Sequence, residues 1–370
     1  METGSRAGSP GKSKLRAVAL IAATALAGAL TGCGGANDTT SSAGGGGSSS
    51  TNAAASSTTA GASGTQLALV AYSTPKSAYD ALIKAYGQTA AGTGVSFTQS
   101  FGASGAQSRA VATGLPADVV AFSTAPDITR LVKAGLVSKD WAAGPTKGIV
   151  TDSVVVLVVR KGNPKHISGW DDLVKPGVDV ITPNPSASGS ARWNIMAAYG
   201  AELKEGKTPA QALAYLKTLL SKNVSVQDSS GSAAMQTFAS GKGDVLLSYE
   251  SEAIAAEKKG IAIRYVIPRQ TILIETPIAA TTNSSHVAAA QAFVSWLLTP
   301  AAQTIWAKHG YRPVLASVRA AFASKFPTPP QLFTIKSLGG WKVISKKFFA
   351  PSTGLVTKIE AAAGVPTASS

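Results

Sequence analysis

Asp179-Val-Ile-Thr-Pro-Asn-Pro-Ser-Ala-Ser-Gly-Ser190 passes from a short apolar strand, Asp179 to Ile181, into a turn of proline, serine and glycine that opens a helix. The same pattern repeats on either side of it. Leu67 to Ala71 leads into Tyr72-Ser-Thr-Pro75, with Pro75 poised near a helix start. Val95 to Gln99 leads into Phe101-Gly-Ala-Ser-Gly105, and Val224 to Gln227 into Asp228-Ser-Ser-Gly-Ser232. A helix is expected over 77–89, with Tyr79, Leu82, Ile83 and Tyr86 on one face. Further helices are expected over 106–113 and 128–134, and further strands over 118–122, 154–160 and 244–249. Such alternation predicts an α/β architecture with mostly parallel sheets, whose ligands sit beyond the carboxyl ends of the strands.

The chemistry of those strand ends follows from the helix backbone. A helix N-terminus leaves several N–H groups without partners and carries partial positive charge. Serine adds a hydroxyl donor, and glycine lets the backbone approach closely. One serine-bearing helix start is merely a capped helix. Four in succession make a cage of neutral donors suited to an anion.

The chain has 370 residues, room for two ordinary lobes. Its only cysteine is Cys33, so an internal disulfide framework and a cysteine zinc site are both ruled out. Arg6, Lys12, Lys14 and Arg16 precede an uncharged apolar run from Ala17 to Leu30. That run is shorter than the roughly 20 residues of a spanning helix and fits a secretory signal. Leu30-Thr-Gly-Cys33 then looks like a bacterial lipobox, so residues 1–32 are expected to be removed and Cys33 acylated. Gly11-Lys-Ser13 is signal charge rather than a phosphate loop, since Arg6 stands where the first glycine is required. Residues 33–65, nearly all Gly, Ser, Thr, Ala and Asn, are expected to form a flexible tether. The formal charge is +15; removing 1–32 takes away four bases and one acid, leaving 30 bases against 18 acids, or +12. These bases are scattered without interleaved aromatics, which argues against nucleic acid and for adhesion to an anionic envelope and weak steering of anions.

Several further motifs complete a resemblance. They are Phe101-Gly-Ala-Ser-Gly-Ala-Gln-Ser-Arg-Ala-Val111, Leu157-Val-Val-Arg-Lys-Gly-Asn-Pro-Lys165, Trp170-Asp-Asp-Leu-Val-Lys-Pro-Gly177 and Val180-Ile-Thr-Pro-Asn-Pro185. Ser188-Gly-Ser-Ala-Arg-Trp-Asn194, Gly243-Asp-Val-Leu-Leu-Ser-Tyr-Glu-Ser-Glu-Ala253, Tyr311-Arg-Pro313 and Phe333-Thr-Ile with Gly339-Gly-Trp341 follow in order. Over roughly 66–364 the chain resembles the bacterial sulfate- and thiosulfate-binding proteins of ABC sulfate permeases. The resemblance implies a two-lobe, type II periplasmic-binding-protein-like fold, with a hinge of crossing strands and an interlobe ligand cleft. Lobe 1 would comprise 66–150 and 255–370, and lobe 2 would comprise 151–254. The ligand residues it implies are Ser73, Ser104, Ser188, Gly189, Ser190, Gly231 and Tyr249. Ser104 and Ser188 would each offer N–H and hydroxyl, and Gly189, Ser190 and Gly231 the backbone N–H. Ser73 stands where the family often has Asp, Ser190 where it has Gly, Gly231 where it has Ala and Tyr249 where it has Trp. Arg109, Arg192, Asp228 and Glu250 are expected beside the ligand loops and off the ligand.

An all-donor cage favours sulfate, which carries no proton at neutral pH. Phosphate keeps a P–OH, and leaving that buried without an acceptor costs about 1–3 kcal/mol. Thiosulfate is the nearest competitor, with phosphate and molybdate as alternatives. A serine hydrolase is the rival from another class. Ser104 lacks a nucleophile elbow, and His166, His286 and His309 are remote in sequence from every serine turn. No enzyme activity, cofactor or metal is expected. The expected partners are sulfate and the transmembrane subunits of an ABC permease with its cytoplasmic ATPase. The protein is expected to be a monomer, exported and lipid-anchored on the outer face of the cytoplasmic membrane.

Overall fold

The structure, a computed structural model, describes residue 1 and residues 64–367. The expected signal segment, Cys33 and nearly all of the tether lie outside the described residues. Among the described residues no helix is long and apolar enough to cross a membrane.

The chain opens with three strand–helix units: β1 (Thr65–Tyr72) and α1 (Lys76–Tyr86), β2 (Val95–Gly102) and α2 (Ser104–Ala112), β3 (Val119–Ala121) and α3 (Ala125–Lys133). The long strand β4 (Ile149–Arg160) leads to β5 (Val180–Pro183), α4 (Gly189–Lys204), α5 (Pro209–Thr218), β6 (Val224–Asp228), α6 (Gly231–Ala239), β7 (Val245–Tyr249) and α7 (Glu250–Lys258). Then come β8 (Ile263–Val266), the long β9 (Gln270–Ala280), α8 (Val287–Trp296), α9 (Pro300–Lys308), α10 (Ala316–Ala321), β10 (Gln331–Thr334), α11 (Gly340–Phe348) and α12 (Leu355–Ala362).

All ten strands join one sheet, ordered β2-β1-β3-β9-β4-β7-β5-β6, with β10 on β9 and β8 on β4. The flanks are parallel, as expected: β1 with β2 and β3, and β5 with β6 and β7. The centre is antiparallel, because β9 pairs with β3 and β4, and β4 pairs with β7. Two long strands therefore carry the chain from one half to the other. The Ile278–Ala280 end of β9 lies on β3, while the Val155–Val159 end of β4 lies on β7. Pro277 sits inside β9 without an N–H to give, and the β4 register slips between Ile149 and Thr151 opposite it.

Each half buries both faces of its sheet. Leu67, Leu69, Tyr79 and Tyr86 pack with Phe293 and Trp306, and Val70, Phe122 and Leu131 fill the opposite face. In the second half Val155, Leu157 and Val159 pack with Trp193 and Leu216, while Val154, Val156 and Val158 pack with Met235 and Phe238. Burial on both sides explains the unbroken apolar run of β4. Phe333, Ile335, Ile344, Phe348 and Val356 also belong to the Trp193 core. The tail thus packs on the second half, unlike the expected placement of all of 255–370 with the first. The cause is local: β10 pairs with the Gln270–Leu273 end of β9, remote from β3.

Candidate functional site

Six helices, α1, α2, α3, α4, α6 and α7, begin within a few residues of the carboxyl ends of β1, β2, β3, β5, β6 and β7. Contacts between their first turns knit them together across the two halves. The Gly105 N–H donates to the Ala187 carbonyl at 3.0 Å. Trp193 on α4 donates its indole N–H to the Ser123 carbonyl at 2.7 Å, and the Ser123 and Tyr249 hydroxyl oxygens are 2.5 Å apart. The Ser232 N–H reaches Ser73 Oγ at 3.4 Å. Gly189 and Gly231 sit where side chains would collide. A Cβ on Gly189 would lie 2.9 Å from Ser123 Cβ and 3.0 Å from Thr124 Cγ2. One on Gly231 would lie 3.1 Å from Thr74 Cγ2 and 3.2 Å from Ser190 Oγ. The halves are closed on one another, and all seven expected residues lie along this seam.

Their polar groups are not all free. The Ser104 hydroxyl donates to Asp127 Oδ2 at 2.6 Å and accepts from the Ser123 N–H at 2.9 Å. It was expected to donate to the ligand; its single proton is instead held by a buried carboxylate. The Ser188 N–H, also expected to face the ligand, donates to the Asn184 carbonyl at 2.9 Å. Its hydroxyl is hydrogen-bonded to that of Ser190, at 2.7 Å. Ser104, Gly189, Ser190 and Gly231 are among the first residues of their helices, so their N–H groups have no carbonyl within the helix. Burial holds the Tyr249 phenol well above its ordinary pKa, although its bond to Ser123 opposes the shift, so it stays a neutral donor. Burial likewise raises the phenols of Tyr72 and Tyr311. Thr151 and Thr276, on the two crossing strands, bring their hydroxyl oxygens to 2.6 Å.

Two carboxyl groups stand near the seam. Asp127 accepts from Ser104, Thr124 and Arg130 and is thereby satisfied. Glu252 accepts from Ser248 at 2.5 Å, and its Oε2 lies 3.4 Å from where a Gly231 Cβ would be. Burial pushes its pKa up to about 7. A cavity of about 450 Å³ opens beside it, bordered by Ser73, Thr74 and Ser232.

Ser123, Thr124 and Glu252 were missed from the sequence. For the first two the signal was present, since Ser123-Thr-Ala-Pro126 follows a strand and opens a helix as the other turns do. Glu252 carries no such mark. Of the flanking charged residues, Glu250 makes a two-pronged ion pair with Arg312 at 2.7 and 3.0 Å. Arg192 holds the Pro185 carbonyl, and Asp228 accepts from Thr237. His166 lies in a turn, His286 precedes α8 and His309 follows α9. Asp171, Glu202 and Glu205 have metal-ligand spacing, but Lys207 stands 2.9 to 3.5 Å from all three.

A family model described as bacterial extracellular solute-binding protein matches residues 67–312. The chain is 38% identical to the sulfate-binding protein of Synechococcus elongatus over 349 residues, 91% of this chain and 93% of that one. It is 36% identical over 280 residues to the thiosulfate-binding protein of Pseudomonas aeruginosa, covering 73% and 84% of the two chains. Among solved structures, the sulfate-binding protein SubI from Mycobacterium tuberculosis H37Rv is 48% identical, with a TM-score of 0.75 over 76% of this chain and 98% of that one.

Proposed function

The chain belongs to the bacterial extracellular solute-binding proteins, within their sulfate- and thiosulfate-binding group, and from that premise we propose that it captures sulfate outside the cytoplasm and delivers it to an ABC importer. The observation that carries the reading is the meeting of six helix starts along one closed seam. Each brings partial positive charge and unclaimed N–H groups to the same place. A dianion held there is neutralised by dipoles rather than by a counter-ion.

The proposed contacts are the backbone N–H groups of Ser104, Gly189, Ser190 and Gly231, the Ser188–Ser190 hydroxyl pair, the Tyr249 phenol and Ser73. Asp127 and Ser123 position them: Asp127 fixes the Ser104 hydroxyl, and Ser123 aligns Tyr249 and Trp193. With the Ser104 proton committed to Asp127, the cage relies more on backbone than the sequence alone suggested. Beyond Ser73 the cavity beside Glu252 continues the seam toward solvent. The two lobes we propose are joined by β4 and β9, with the tail 331–362 on the second. Residues 1–32 are proposed as a lipoprotein signal, Cys33 as the acylated anchor and 33–65 as the tether. The protein is read as a monomeric carrier without catalytic activity.

Competition calorimetry with sulfate, thiosulfate, molybdate and phosphate on one sample tests the reading. Sulfate should bind at least tenfold more tightly than phosphate at pH 7, the equivalent of about 1.4 kcal/mol. Phosphate binding more tightly than sulfate defeats it.

A further inference from the structure

On the opposite flank of the seam, a second cavity of about 580 Å³ is lined from both halves. Arg109 on α2 and Arg130 on α3 face it from the first; Arg192 on α4 faces it from the second, with Ser345, Ser352 and Glu360 beyond. Three guanidinium groups in one cavity repel one another: after burial, Arg130 lowers the pKa of Arg109, and Arg130 and Arg109 lower that of Arg192, while Asp127 opposes both shifts and at Arg192 outweighs either arginine. One carboxylate, that of Asp127, does not balance three guanidinium groups. Asp127 is already taken by Ser104, Thr124 and Arg130. Glu360 accepts from Gln227 at 2.6 Å, and burial pushes its pKa up to about 7, so it carries only part of a charge. Arg109 Nη2 and Ser345 Oγ are buried without a hydrogen-bond partner among the described residues. Arg192 uses Nε on the Pro185 carbonyl and lies 5.2 Å from the Phe349 ring, so its terminal nitrogens remain for an acceptor.

Donors therefore exceed acceptors around a partly open cavity much larger than one tetrahedral anion. We propose that this cavity is a second anion site, distinct from the seam, which takes a multiply charged phosphate-type oxyanion larger than sulfate through Arg109, Arg130 and Arg192. Arginine forks suit such groups because two parallel N–H donors match two oxygens. The site exists only when the halves are closed, since its arginines come from both. An occupant thus favours the closed form, and through it sulfate in the seam, by the reciprocity of linked binding. That coupling rests on the sulfate reading; the cavity's own affinity does not.

Pyrophosphate is a suitable probe, because its several charges span the cavity and its size keeps it out of the seam. Calorimetric titration of pyrophosphate into the full-length, sulfate-saturated protein should show one further anion bound per chain. Sulfate affinity should rise several-fold with pyrophosphate saturating. Arg109→Gln should weaken pyrophosphate at least tenfold while sulfate stoichiometry is kept. Ser345→Glu, which puts a carboxylate into the cavity, should abolish it. The proposal is overturned if pyrophosphate gives no binding to the sulfate-saturated protein, if it displaces sulfate, or if both variants bind it as the parent does. Failure of sulfate itself to bind would instead sink the reading of the seam, and pyrophosphate titrated into the same sample would still decide the cavity.

Discussion

Glu360 is 1% exposed, has one oxygen on Gln227 and the other without a partner, and keeps its proton up to about pH 7 because burial penalises its charge. In the unfolded chain the same carboxyl ionises near pH 4.3. The sign follows from linkage. Below the unfolded value both states hold the proton, and the group's contribution to stability is fully present. As pH rises through the folded value the unfolded state gains by ionising first, and that contribution is lost. The loss is of order 2–4 kcal/mol between pH 4 and 8. Asp152, pushed up to about 7 by burial and by Glu275, adds to the same trend. Urea unfolding at pH 5.5 and pH 8 should therefore show lower stability at the higher pH, and a smaller difference in Glu360→Gln. An equal difference in variant and parent would contradict the assignment.

At the scale of elements, the closeness of α4 to the loop before α3 makes Gly189 a closure residue. A methyl there meets Ser123 Cβ at 2.9 Å, Thr124 Cγ2 at 3.0 Å and Ser123 Oγ at 3.1 Å, all atoms of short side chains. Gly189→Ala should cost at least tenfold in sulfate affinity, about 1.4 kcal/mol, with little change in stability of the sulfate-free protein. Gly231→Ala meets Thr74 Cγ2, Ser190 Oγ and Glu252 Oε2 at the longer distances of 3.1 to 3.4 Å, the last at the end of a flexible side chain, and should stay within about threefold. Equal effects at both positions would contradict this. The flanking strands and the helix starts were legible because each carries its own signal: an apolar run, then Ser, Gly or Pro at the turn. The helix expected over 106–113 in fact begins at Ser104, since its first turn lacks apolar residues. The crossing strand β9 was not legible. Glu275 and Pro277 interrupt its apolar pattern, and only pairing with β3, β4 and β10, set by tertiary context, makes it a strand. The direction of the Ser104 hydroxyl was likewise hidden, since Asp127 lies 23 residues away on another helix.

Across the whole molecule, two halves share two strands, and the contacts of Ser123 with Tyr249 and Trp193 and of Ser73 with Ser232 that join the helix starts across the seam are between neutral groups. The Glu250–Arg312 pair illustrates the design. It links the start of α7 to the Arg312 segment, whose backbone pairs with Asp152 at the crossing, and leaves no net charge there. Excess positive charge gathers instead on the Arg109–Arg192 flank, outside the cage. The organising claim is that a dehydrated dianion is held by main-chain dipoles, with side chains serving to aim them. A crystal structure of the sulfate-saturated protein tests it most directly. Sulfate oxygens should lie within about 3.2 Å of the backbone nitrogens of Ser104, Gly189, Ser190 and Gly231 and of the Tyr249 hydroxyl, with no cationic side chain in contact. Sulfate clasped by an arginine or lysine side chain, or a closed seam with none inside, would contradict it.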